Sequence, residues 1–304
     1  MSTTSLPPSP SLFRHLILDN PMTLEATRVW RRFIRSGGDT GKGVNVTAMV
    51  FVAVMYTWCL FAILRFHEDM STLLLLLEAA LLTLVVPGSM YAAVSGERER
   101  LTWDGLIMTS LSPGQIVVGK LLWRVVLILG IAALFTPPLL LCQFAVGVLN
   151  SPDGASARHE YTLSELFLAQ GIVVSWGLLL AGFSLWVSTK TRRAVTTLAI
   201  ITITLLSFLF LVPMLVGLFG GRSYWSAYDP PLRQLGALLL HLHPYDSIWY
   251  LSKEGAASVG YGGDQWVKND MVRLIPWIYL GGAIACIVGA WKTLRGLEEP
   301  RVRS

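Results

Sequence analysis

The chain has 304 residues, 53% of them hydrophobic and only 14% charged. A soluble domain carries roughly a quarter charged residues, so this composition excludes a water-covered globule. The net charge of +5 does not point to nucleic acid, because the basic residues cluster between apolar runs, where orientation signals lie.

Residues 1–43 form a polar amino-terminal segment. Around Pro7, Pro8 and Pro10 there is no apolar h-region, so no cleavable secretory signal is expected. Over 20–35, Asn20 suits an N-cap and Pro21 the first helical position, where a missing N–H costs nothing. At 100° per residue, Met22, Ala26, Val29, Trp30 and Phe33 share one face of this helix, and Arg28, Arg31, Arg32 and Arg35 the opposite one. The pattern predicts an amphipathic helix lying on an anionic membrane surface, with packing on the rest of the protein as the alternative. The following SGGDTGKG, 36–43, has Ser36 where a phosphate-binding loop needs its first glycine and Gly43 where it needs Ser or Thr. It is not a nucleotide site.

Residues 44–294 read as a six-helix transmembrane domain. Its spans fall near 44–64, 71–94, 117–141, 163–187, 194–219 and 272–294, each close to the length a bilayer core requires. Pro87, Pro137, Pro138 and Pro213 lie inside spans or near their ends, where they kink helices or mark ends rather than abolish them. With the amino terminus inside, the inner segments hold fifteen Lys and Arg and the outer ones seven. Both termini, including the tail 295–304, are therefore expected in the cytoplasm. Lys120 and Arg124, at the start of the third span, are expected to snorkel to the inner surface.

Between the second and third spans, 97–111 (ERERLTWDGLIMTSL) has a charged start and enough apolar residues for a short cytoplasmic helix with an apolar face. Glu78 is the one acid well inside a span. An ionisable group at that depth either meets substrate, pairs with a base, sits protonated, or is a hydrogen-bonded packing residue. The outer stretch 220–271 holds an apolar run, Leu235 to Leu242, followed by His243-Pro244, too short to span and suited to a re-entrant or interfacial helix before the last span. His241 and His243 alone make a poor zinc site. Cys59, Cys142 and Cys286 lie in apolar runs and read as packing residues. EEPRVR, 298–303, has the spacing of an intramembrane-protease motif but falls in the polar tail. No catalytic constellation and no metal site is expected. The fold class is an all-α integral membrane protein.

ERERLTWDGLIMTSLSPGQIVVGK, 97–120, resembles the segment after the second span in ATP-binding-cassette (ABC) type-2 transporter permeases. Glu97-Arg98-Glu99, Asp104, Leu106, Thr109, Leu111-Ser112-Pro113 and Gly119-Lys120 match that pattern, while Leu101-Thr102 stands where the family has Gly-Thr. Asn20-Pro21 before a basic helix is similar to the family's connecting helix, and His243-Pro244 to its Asn-Pro. The resemblance implies an export permease in a cell (inner) membrane. It implies two separate ATPase subunits that carry the ATP and magnesium, and a second permease copy or a paralogue. The chain itself would bind no cofactor and catalyse nothing. The 97–111 segment would be the coupling helix, with Glu97, Arg98, Glu99, Arg100 and Asp104 setting docking and Trp103 and Leu106 as apolar anchors. An ion-coupled transporter working through Glu78 and a non-transporting membrane scaffold are the competing readings.

Overall fold

The computed structural model describes residues 20–23, 50, 53, 54, 56, 57, 61, 70–103, 105, 111–149, 161–214, 242–252 and 265–302. Among them there is no strand, and five helices are long and apolar enough to cross a membrane. This is the architecture of an all-α multi-pass membrane protein.

In chain order, α1 runs Met70–Met90, α2 Ser95–Glu99, α3 Pro113–Leu149 and α4 Leu163–Lys190. α5 runs Ala194–Leu206 and continues through one π turn, Ser207–Leu211, to Met214. α6 is Pro244–Leu251 and α7 Gln265–Val302. The five candidate spans correspond to the second to sixth runs read from the sequence. The first, 44–64, lies largely outside the described residues; Tyr56 from it donates to the Leu134 carbonyl of α3 at 2.6 Å. Pro87, Pro137 and Pro138 sit within α1 and α3 without ending them.

α4 is the hub and packs against α1, α3, α5, α6 and α7. Its start is fixed by a capping box: the Thr162 side chain accepts from the Glu165 amide, and Glu165 Oε2 accepts from the Thr162 amide at 2.7 Å. Without a hydrophobic driving force between helices in lipid, close approach depends on small residues. A Cβ on Gly182 of α4 would lie 3.0 Å from the Ala283 carbonyl of α7, and one on Gly289 of α7 would lie 2.8 Å from the Trp186 indole of α4. The main core gathers Leu74, Leu82, Ile128, Trp176, Leu180 and Tyr279. A second cluster closes one end of the bundle, with Met90, Val94, Trp103, Ile116, Leu185 and Leu294. Of Ala194–Leu206 in α5, only Thr197 and Ile201 are buried among the described residues.

α6, eight residues long, is too short to span and packs into the bundle against α1 and α4. Tyr161 donates to the Ile248 carbonyl at 3.0 Å, and Tyr245 donates to Thr83 Oγ1 at 3.3 Å. Thr83 lies about 20 Å along α1 from Met70 at 1.5 Å per residue. The start of α6 therefore packs about 20 Å along α1 from Met70, inside the bundle.

Candidate functional site at the basic end of the bundle

α1 ends, α3 begins, α4 ends and α5 begins at one end of the bundle, and the sequence there is rich in Lys and Arg. α3 starts with a second capping box. Ser112 Oγ accepts from the Gln115 amide at 3.3 Å, and Gln115 Oε1 accepts from the Ser112 amide at 2.9 Å, with Pro113 at the first helical position. The Leu-Ser-Pro-Gly-Gln run is thus a helix start.

Asn20 Nδ2 donates to the Gln115 carbonyl at 2.8 Å, while Asn20 Oδ1 caps its own short helix by accepting from Met22 N at 3.0 Å. The contact is close because Gly119 lacks a side chain: a Cβ there would lie 2.7 Å from Met22 Cβ. Residue 20 is thereby pinned to the first turns of α3. Trp30, Arg28, Arg31, Arg32 and Arg35, expected on the membrane surface, lie outside the described residues, as do Asp104 and Leu106.

The expected helix over 97–111 does not run through. α2 stops at Glu99, and the chain reverses in a Schellman turn: the Thr102 amide donates to the Glu97 carbonyl at 3.0 Å and the Leu101 amide to the Arg98 carbonyl at 3.2 Å. Leu101 takes φ 59°, the left-handed region that favours glycine. This is the position at which the family resembled has its glycine. Past the turn, Trp103 is not an outward anchor. It is buried in the second core cluster, with the Arg98 guanidinium 5.2 Å from its ring centroid. Among the described residues of the tip, Arg100, Leu101, Thr102 and Gly105 are exposed.

Lys120 and Arg124, expected to snorkel, are both bonded within the protein. Lys120 is buried, ion-paired with Glu97 at 2.6 Å, and donates to the Ala93 carbonyl. Arg124 donates to the Ser89 carbonyl at 2.7 Å. Both cations therefore satisfy carbonyls left open where α1 ends, at the negative pole of its dipole. Glu99 reaches α5, where its Oε2 accepts from the Ala194 amide at 3.0 Å, a cap supplied from another helix. Ser188 of α4 completes the junction: its Oγ accepts from the Val94 and Ser95 amides at 3.0 and 3.1 Å and donates to the Tyr91 carbonyl at 3.0 Å. Arg98 Nη1 donates to the carbonyl of Thr191, the C-cap of α4, at 3.4 Å, so Glu97, Arg98 and Glu99 are tied to α3, α4 and α5, and the tip 100–102 projects from a braced base.

Further along the α1–α4 seam, Thr72 meets Tyr161 at 3.0 Å, Gln170 donates to Glu78 Oε1 at 2.8 Å, and Trp176 donates to Thr83 at 3.0 Å. Glu78 is fully buried, and among the described residues no basic side chain bonds it. It is a rung of this polar seam. No group of three or more His, Cys, Asp or Glu able to hold a metal is found among the described residues.

The Glu99 cap, the Ser188 hub and the Lys120–Glu97 pair escaped the sequence reading. The Ser-rich end of the fourth span was the available signal for Ser188, and the unsatisfied carbonyls any helix end must have were the signal for Lys120. The chain matches no protein-family model, and no curated protein matches it.

Proposed function

We propose that this chain is the permease subunit of an ABC transporter, an exporter with six spans and both termini in the cytoplasm of a cell (inner) membrane. Two ATPase subunits holding ATP and magnesium bind beneath its basic end, and a second copy or a paralogue completes the path, which opens alternately to either side. The observation that carries this reading is the braced tip. A load applied at Arg100–Thr102 passes through Glu97 to α3, through Ser188 to α4 and through Glu99 to α5. Packed elements joined in this way move as rigid bodies, which is what a partner's ATP-driven closure requires of its seat. The excess of Lys and Arg at this end supports a cytoplasmic placement. The resemblance over 97–120 supports the same reading.

The test is affinity purification of the tagged protein from native membranes with mass spectrometry of what co-purifies, repeated with Arg100→Glu/Leu101→Asp, which changes only exposed tip residues. An ATPase subunit captured by the native chain and lost from the variant supports docking at the tip. A native chain that brings down no nucleotide-binding partner overturns the transporter reading and favours a scaffold or an ion-coupled role around Glu78.

A further inference from the structure

Three glycines fix how α4 and α7 lie together. A Cβ on Gly282 would lie 3.0 Å from Leu179 Cδ1, one on Gly182 3.0 Å from the Ala283 carbonyl, and one on Gly289 2.8 Å from Trp186 Nε1. The partners advance together, 179 with 282, 182 with 283 and 186 with 289, so the two helices run parallel and both reach the basic end. Lys190, the last residue of α4, is therefore level with Lys292 and Thr293 of α7. Its ammonium sits 4.2 Å from the Trp186 ring centroid, a contact that positions the charge without neutralising it. Lys292 is exposed, one turn beyond Gly289 and about 60° round the helix from it. Among the described residues no carboxylate pairs with either lysine, and no acceptor meets the Trp186 indole N–H. Glu99, which reaches the start of α5, is bonded to the Ala194 amide.

We propose that the α4–α7 seam at the basic end is a binding site for one anionic phospholipid, whose phosphate is held between Lys190 and Lys292. The Trp186 indole N–H supplies a further donor at the same seam. Val288, Ala285 and Gly281 lie four, seven and eleven residues before Lys292, on the same face of α7, and all three are exposed. At 1.5 Å per residue this strip is about 16 Å long. A Cβ on Gly281 would meet nothing within 4 Å, so the strip is open as well as apolar, and an acyl chain can lie along it. Cations, indole and apolar strip thus follow one another in the order of phosphate, membrane interface and tail. That order selects a lipid over a free phosphate, which has no use for the strip. Arg192 and Arg193, exposed and next in the chain, add to the positive field, and basic pockets between spans hold anionic headgroups in this way. The next acids on α7, Glu298 and Glu299, come about two turns beyond Lys292. The site does not depend on the ATPase reading.

The test is native mass spectrometry of the full chain purified in detergent and titrated with phosphatidylglycerol or with phosphatidylcholine of the same acyl chains. One phosphatidylglycerol should be retained about thirtyfold more tightly than phosphatidylcholine, the attraction of two lysines to an anionic headgroup. Lys190→Gln/Lys292→Gln should lose most of that preference. Arg273→Gln, an exposed position toward the other end of α7, should leave it unchanged. Excess inorganic phosphate should not displace the lipid. Equal retention of the two lipids, an unchanged preference in the double variant, or a loss as large in Arg273→Gln overturns the site. Displacement by inorganic phosphate shows a free-anion site and overturns the lipid. If the double variant does not fold, acetylation of the native chain in nanodiscs decides. Lys190 and Lys292 both reacting more slowly in phosphatidylglycerol than in phosphatidylcholine supports the site; equal rates overturn it.

Discussion

Lys120 of α3 and Glu97 of α2 stand 2.6 Å apart, and the same ammonium also bonds the Ala93 carbonyl where α1 has ended. One side chain thus closes a helix end and joins two elements at the point where the chain turns toward its exposed tip. Lys120→Met removes both bonds and leaves Glu97 half-buried without its cation. We expect a loss of about 2 kcal/mol, more than for Glu97→Gln, whose amide oxygen still accepts from Lys120. Thermal unfolding in detergent of the two single variants and the double, analysed as a cycle, checks this. Additive losses would show that the pair does not act as a unit.

Leu101 is held at φ 59° by the Schellman turn after Glu99. Leu101→Gly relieves the clash between a Cβ and the following carbonyl and should raise stability by about 1 kcal/mol, while Leu101→Ile, branched at Cβ, should lower it. Melting temperatures of the two variants should move in opposite directions. A drop in both would show that the exposed leucine side chain is itself bound to something.

Gly119 decides whether residues 20–23 can seat on α3. The Cβ of Gly119→Ala would lie 2.7 Å from Met22 Cβ, and that backbone cannot withdraw without breaking the Asn20 bond to Gln115. Limited trypsin cleavage in the Arg28–Arg35 stretch should speed up about tenfold, the size of a moderate overpacking penalty. Asn20→Ala should act in the same direction through the lost bond.

The spans were legible because an apolar run of bilayer length has one reading, and all five runs among the described residues are helices. The helix start at Asn20-Pro21 was legible for a related reason, being a local signal set within one turn; Ser112-Pro113 is a signal of the same kind, but the third span was read from 117 and the start at 113 was passed over. The 97–111 stretch was not legible. Its composition suits a helix, but the stretch is broken by a turn at 100–102 in which Leu101, a residue that carries no turn signal, takes φ 59°. The ties that hold its base, from Lys120 to Glu97 and from Glu99 to Ala194, leave no record in periodicity. Trp103 illustrates the same limit. An aromatic in an amphipathic stretch marks an apolar face, but only the fold decides whether that face meets a partner or, as here, the protein's own Leu185 and Leu294. Glu78 was legible as an anomaly and not as a contact, since its Gln170 lies ninety-two positions on.

Ser188→Ala should be costlier than an ordinary serine substitution. The hydroxyl serves two backbone amides, Val94 and Ser95, at a break between helices where no carbonyl of the preceding turn replaces it for Val94. Leaving a buried donor unmet costs about 1–3 kcal/mol. Hydrogen exchange at 94 and 95 should accelerate more than exchange in mid-α1, and equal change at both places would mean a global loss rather than a broken joint.

Glu78 offers a test that separates a structural role from a role in the proposed transport. Glu78→Gln keeps an oxygen for the Gln170 amide and should change stability by less than about 1 kcal/mol, whereas Glu78→Leu orphans that amide and should cost about 2 kcal/mol. Because the carboxyl is fully buried and bonded across the α1–α4 seam, the glutamine variant should also leave unchanged the ATPase activity of the complex with ATPase subunits that we propose. The informative alternative is a glutamine variant that melts like the native chain yet loses activity. That result would mean the negative charge, and not the hydrogen bond, is what this position supplies, and Glu78 would then belong to the path that substrate or a coupling ion follows.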